Sequence, residues 1–189
     1  KGERCRDILE DRQGRIWVGT DQGLNLYNED SDSFQLIRQF TRDGVPAMVR
    51  DIQQGEGDNL WIATWGAGLY HFNPKTGRVR SWQHNPKDPN SLSHDKVRAL
   101  TLDQTGTIWV GTLHGLNQMD PATGRFIRYL NQPGRMNTLS SNHITAVFED
   151  RSGVLWFGAA GEGLNTLNSN SRVFKSHSPI PGEENSLSA

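Results

Sequence analysis

Four tryptophans, Trp17, Trp61, Trp109 and Trp156, sit in one recurring phrase at spacings of 44, 48 and 47 residues. The phrase reads DRQGRIWVGTDQGLNLY at 11–27, DNLWIATWGAGLYHF at 58–72, DQTGTIWVGTLHGLNQM at 103–119 and DRSGVLWFGAAGEGLNTL at 150–167. Self-similarity at a period of about 45 residues belongs to propellers and solenoids, in which each unit buries its faces against its neighbours. Aligned on the tryptophans, every unit offers four short apolar runs. In the third they are 97–103, 107–112, 115–120 and 125–130, rich in β-branched and aromatic residues and bounded by Gly, Asp and Pro. Helical spacing is absent.

The turns carry their own signals. Asp11-Arg-Gln-Gly14, Asp103-Gln-Thr-Gly106 and Asp150-Arg-Ser-Gly153 join the first two runs, with Gly55-Glu-Gly-Asp58 as the departure. An aspartate there can accept bonds from amides ahead of it, and the glycine supplies a positive φ. Asn73-Pro-Lys-Thr-Gly77 and Asp120-Pro-Ala-Thr-Gly124 join the last two runs, while 29–33 and 168–172 are looser. The expectation is an all-β β-propeller of four consecutive four-stranded blades, at about 4–43, 49–90, 97–137 and 144–185. One indole per blade fills the wedge between adjacent sheets, in preference to a sugar-binding tryptophan ladder. Cys5, aligned with Val49, Val97 and Ile144, is expected to be a buried thiol.

The pattern V-x-x-[IL]-x-x-D-x-x-G-x-[IL]-W-[VIF]-G-T-x-x-G-L-N is clearest at Val97–Leu100, Asp103, Gly106, Trp109–Thr112 and Gly115–Asn117. It resembles the repeat of the two-component regulator propeller family. The resemblance implies the extracytoplasmic sensor region of a hybrid histidine kinase or diguanylate cyclase, hence a periplasmic location and no catalysis in this segment. It also implies seven-bladed rings, so four blades are expected to form an open arc of a larger ring. A closed four-bladed ring, or two chains pairing into eight blades, stays open. An arc would expose two blade faces and invite self-association. Asn90-Ser-Leu-Ser93 and Asn137-Thr-Leu-Ser140 each introduce a unit, and Asn185-Ser-Leu-Ser188 introduces none.

Bulk properties narrow the partners. Lys and Arg total 20 against 21 Asp and Glu, a balance that gives no footprint for nucleic acid or an anionic membrane. With one cysteine, no intrachain disulfide or CxxC metal site can form. The six histidines lack metal-ligand spacing, so neither a metal nor a cofactor is expected.

Strand alternation puts the one–two and three–four connections on one side of each blade and the variable two–three and four–one connections on the other. Recognition is expected on the variable side. Its candidates are Trp65, His114 and Glu162 in the two–three loops, and His94, Asp95, Lys96, Asn142 and His143 at the ends of the linkers. Arg6, Arg50 and Arg98 follow at one equivalent position, where the fourth unit has Thr145. Trp65, which the repeat does not explain, suits stacking on a sugar or packing on the neighbouring loop. The three guanidinium groups suit an anionic ligand such as an acidic glycan, or pairing with Asp7, Asp51 or another nearby carboxylate. The reading is a ligand-sensing segment for a small molecule or oligosaccharide. Two alternatives are a propeller lyase or hydrolase using His94, His143 or Glu162 as acid or base, and a protein-docking propeller relying on Trp65.

Overall fold

The computed structural model describes residues 4–168, 173–178 and 186–187. Four antiparallel meanders hold all but two of the strands among them. The first runs β1 (Cys5–Glu10), β2 (Ile16–Thr20), β3 (Gly23–Asn28) and β4 (Ser33–Ile37). A two-stranded hairpin follows, β5 (Thr41–Arg42) with β6 (Val45–Pro46). The second meander is β7 (Val49–Gln54), β8 (Leu60–Thr64), β9 (Leu69–Asn73) and β10 (Arg78–Trp82). The third is β11 (Val97–Leu102), β12 (Ile108–Thr112), β13 (Gly115–Met119) and β14 (Phe126–Tyr129). The fourth is β15 (Ile144–Glu149), β16 (Val154–Ala159), β17 (Gly163–Asn168) and β18 (Phe174–His177). No helix occurs among the described residues. Asn185-Ser-Leu-Ser188 lies partly outside them, as does most of the loose turn at 168–172.

The chain forms two compact units. One contains the first two blades with Asp95–Arg98, the other Asn85–His94 with Ala99 onward. Each is built by stacking one blade on the next. In the first unit Trp17 is 1% exposed and meets the ring of Phe72 edge-on at 6.0 Å. In the second, Trp109 lies 5.9 Å from Phe157 of the following blade. Close approach needs a residue without a side chain two positions after the tryptophan. A Cβ on Gly19 would come 2.7 Å from Val49 Cγ1, and one on Gly111 would come 2.6 Å from Ile144 Cγ2. Those β-branched side chains therefore sit directly on bare backbone and are fully buried.

The turn aspartates do more than hold their loops. Asp11 Oδ1 accepts the amides of Gln13 and Arg15, and Oδ2 accepts the Trp17 indole N–H at 2.7 Å. Asp103 and Asp150 repeat the arrangement with Trp109 at 2.9 Å and Trp156 at 2.8 Å. Each carboxylate thus fixes both a turn and the orientation of its wedge ring. Bonds from the Ser152 hydroxyl, then the Trp156 indole, hold the Asp150 carboxyl down at about 2. For Asp11, burial pushes upward, but the bonds from Trp17, Arg15 and Gln13 outweigh it and the net shift is downward. Blade two has no such carboxylate, and Gly55 lies against the Trp61 ring instead.

The serines that introduce blades three and four latch onto them. Ser93 N–H donates to Asn117 Oδ1, and Asn117 Nδ2 donates to Ser93 Oγ. Ser140 and Asn165 repeat both bonds. Leu92 and Leu139 beside them are fully buried. Blade two replaces this latch by an aromatic pair, Phe40 on Tyr70 at 5.4 Å, with Tyr70 Oη donating to Thr41 O.

Two expectations fail for one reason. Cys5 is exposed, although Val49, Val97 and Ile144 at the same position are fully buried. Trp156 is only half-buried, unlike the other three tryptophans. Val49 owes its burial to the blade packed in front of it, and Trp109 to the blade behind it. Within its own unit neither Cys5 nor Trp156 has a blade on the corresponding side.

Candidate functional site

A β-bulge interrupts the first strand of blades one, two and four. Cys5 and Asp7 pair with consecutive residues of β2, as do Val49 and Asp51 with β8 and Ile144 and Ala146 with β16. The residues left out of the ladder are Arg6, Arg50 and Thr145. A bulge re-aims its extra residue. No turn signal or composition marks this in the sequence, where these positions read as ordinary strand residues.

Arg6 makes a bidentate pair with Asp21 of the two–three loop, Nε to Oδ1 at 2.7 Å and Nη2 to Oδ2 at 3.1 Å. The carboxylate comes from that loop, because Asp7 Oδ2 is turned toward the next blade and accepts the Ile52 amide, while Asp51 Oδ1 accepts from Gln53 Nε2. Arg50 is different. Its Nε is buried with no hydrogen-bond partner, and its Cζ lies 4.7 Å from the centre of the Trp65 ring. Burial first, then the positive charges of Arg6 and Arg98, lower the Arg50 pKa against the weaker pull of Asp21. A second cation, Lys96 Nζ, approaches the same ring at 5.4 Å.

Trp65 is therefore a half-buried platform held between strand and linker. Its amide donates to Met48 O, and it bridges to Lys96. Asp95 ties the linker to the loop: its carbonyl accepts the Gly66 and Gly68 amides, and its Oδ1 accepts the His84 amide at 2.6 Å. Arg6, Arg50, Trp65, Asp95, Lys96 and Arg98 thus belong to one unit, with Arg50 and Lys96 at the Trp65 ring and Asp21 paired to Arg6.

The other candidates belong to the second unit. His114 and Glu162 are exposed, the first donating its amide to Thr112 Oγ1 and the second accepting the Ser140 hydroxyl at its carbonyl. Asn142 accepts the Asn131 amide at Oδ1, and its carbonyl accepts the Gly115 amide. His143 accepts the Ala160 amide at its carbonyl, and its buried Nε2 has no partner. His94 ends the linker that begins at Asn85, within the same unit. No hydrogen bond joins the side chains of His114, His143 and Glu162, and among the described residues no three His, Cys, Asp or Glu side chains converge as a metal would require.

A concave groove of about 570 Å³ lies at the opposite end of blade three, between the one–two and three–four turns. Asn90, Thr105, Gln118, Asp120, Arg125 and Phe126 line it. Asp120 is committed to its own turn, accepting from Ala122 N–H and from Thr123 Oγ1, so the groove is a by-product of turn geometry more than a convergence of free charge.

Comparison with known proteins agrees with this architecture. The family model described as two component regulator propeller matches residues 1–22, 91–114 and 138–161. Histidine kinase P4 of Formosa agariphila is 40% identical over 75 residues, 36% of this chain and 6% of that protein. The extracellular domain of a B. thetaiotaomicron protein described as a hybrid two component system superposes with a TM-score of 0.74 at 28% identity, over 89% of this chain and 24% of that one. Virginiamycin B lyase from Staphylococcus aureus shares the fold alone, with a TM-score of 0.65 at 14% identity over 93% of this chain and 55% of that one. The chain spans about a quarter or less of the two-component proteins it matches. The four meanders are propeller blades, and three stretches of the chain match the two component regulator propeller repeat.

Proposed function

We propose that this chain is part of the extracytoplasmic, periplasm-facing sensor of a bacterial two-component-type receptor, and that it binds an anionic small molecule or oligosaccharide. Binding would then be passed to a kinase or cyclase elsewhere in the receptor. The observation that carries the ligand class is Arg50. A guanidinium with a buried, unpartnered Nε beside two like charges is costly unless something anionic completes it. Arg6 already has Asp21, so the uncompensated charge is that of Arg50, beside the Trp65 ring. Carboxylate or sulfate groups suit a guanidinium bidentately. Trp65 orients the two cations through its π face.

The location is supported by the extracellular domain it resembles. Transmission requires the ligand to bind two receptor states unequally. The test is a thermal-shift series with sulfated and uronic-acid oligosaccharides against neutral ones. Acidic species should raise the melting temperature and lose that effect in Arg50→Gln. Equal response to neutral sugars, or an unchanged response in Arg50→Gln, would overturn the anionic reading. The enzyme alternative gains nothing from His143, whose Nε2 lacks the second polar group an acid–base pair requires. Turnover of a glycan that disappears in His94→Ala or His143→Ala would reinstate it.

A further inference from the structure

Arg6 and Arg50 hold one structural position twice, and each faces the residue that opens its blade's two–three loop. Cys5 pairs with Thr20 and Val49 with Thr64, so Asp21 and Trp65, the next residues along, come beside the bulged Arg6 and Arg50. One backbone bond fixes that placement in three blades. The Asp21 amide donates to Arg4 O at 3.3 Å, the Trp65 amide to Met48 O at 2.8 Å and the Ala160 amide to His143 O at 2.9 Å. In each case the acceptor lies two residues before the bulge residue. The fourth blade fills the two positions with Thr145 and Ala160, neither of them charged. The backbone therefore brings the same two positions together each time, and only their chemistry differs.

In blade one the loop supplies an acid. Asp21 takes both Nε and Nη2 of Arg6, so the guanidinium fork is filled by a carboxylate of the chain itself. A tethered partner is always at hand, and an outside carboxylate or sulfate has to displace it before reaching Arg6. In blade two the same place holds an indole, with Arg50 Cζ 4.7 Å from the ring centre. A π face attracts a guanidinium but has no lone pair to accept its N–H groups. The Arg50 Nε accordingly stays buried and without a partner. Both arginines are partly buried, so exposure does not separate them.

We propose that the residue opening the two–three loop sets which bulge arginine a ligand can reach: Asp21 closes the Arg6 position, and Trp65 keeps the Arg50 position open. This division of labour rests on the anionic ligand proposed for Arg50. It gives that ligand a valence, since blades one and two together then take one acidic group and not two. Asp21 and Trp65 become specificity-determining residues, the first by occupying a site and the second by leaving one.

The experiment follows the arginine side-chain N–H resonances of the isotope-labelled chain, assigned with Arg6→Lys and Arg50→Lys, while a sulfated or a uronic-acid oligosaccharide is added. The Arg50 signal should shift and the Arg6 signal should not. In Asp21→Asn the Arg6 signal should become responsive as well, its apparent affinity rising by roughly tenfold or more. Trp65→Asp should silence Arg50 by giving it the kind of partner that Arg6 has. Glu56→Gln removes an exposed carboxylate from the one–two turn of blade two and should leave Arg6 unresponsive, which separates local release from a change in net charge. Three results would overturn the rule while the anionic ligand stands: an Arg6 signal that moves in the unaltered chain or in Glu56→Gln, one that stays still in Asp21→Asn, or an Arg50 response that survives Trp65→Asp. Silence of both signals in the unaltered chain would remove the anionic ligand, and the rule with it. Backbone amide spectra check the fold of each variant, and the near-isosteric Asp21→Asn decides the matter should Trp65→Asp fail to fold.

Discussion

The pentapeptide Ile-Trp-Val-Gly-Thr occurs twice, as β2 at Ile16–Thr20 and as β12 at Ile108–Thr112, and the two copies fare differently. Every residue of β12 is buried. In β2 only Trp17, Gly19 and Thr20 are, while Ile16 and Val18 remain partly open. β16 shows the complementary defect: Leu155, Phe157 and Ala159 are buried, while Val154, Trp156 and Gly158 are not. Burial in a blade is therefore decided by how many of its faces are covered, because a strand sends alternate side chains to opposite faces. Identical residues acquire different energetic weight from their place in the stack.

Substitutions can break or sharpen that contrast. The largest effect is expected at the wedge ring. Trp109→Ala should cost about 4 kcal/mol in chemical denaturation, and Trp156→Ala, half-open already, about 2. Equal costs would mean that the ring's own blade, and not the neighbour, supplies its stabilisation. Next comes the close approach. Gly111→Val has to displace Ile144 and should cost about 2 to 3 kcal/mol. A neutral result would show that the junction yields more readily than a Cβ contact at 2.6 Å suggests.

A smaller effect concerns acid. The Asp150 carboxyl sits near 2 when folded, against an ordinary value of 3.8. A lowered folded pKa contributes stability that is present above the unfolded value and lost as pH falls through the folded one. Melting temperature should therefore decline between about pH 4 and pH 2, and Asp150→Asn should flatten that part of the profile. An unaltered slope would transfer the acid sensitivity to Asp11 or elsewhere. The smallest change is at Arg50. Replacing a poorly solvated cation by Arg50→Gln should raise the melting temperature slightly at low salt, with the gain shrinking as salt is added. A clear loss would argue that the guanidinium holds Trp65 in place for stability alone.

Much of this fold was legible because its signals are local. The four strands of blade three lie within a residue or two of where alternation and turn chemistry put them, as Val97–Leu102 and Ile108–Thr112 show. The hairpin of β5 and β6 lies outside the repeat and is marked only by Arg42-Asp43-Gly44-Val45, with the Asp-Gly pair favoured in tight hairpins. Cys5 departs from its equivalents because alignment transfers a position but not its neighbour. At the candidate site, the identity of Arg6, Arg50 and Arg98 was visible as an internal equivalence. Their unequal fates were not, since pairing with Asp21 and an orphaned Nε depend on side-chain geometry across strands 15 residues or more apart.

The bulge on β1, β7 and β15 releases one side chain from the architecture of each strand. A residue left out of the ladder can be exchanged without shifting the register of its strand, and this chain already carries arginine at two of these bulges and threonine at the third. Such a position can vary one blade at a time, while the sheets beneath stay as they are.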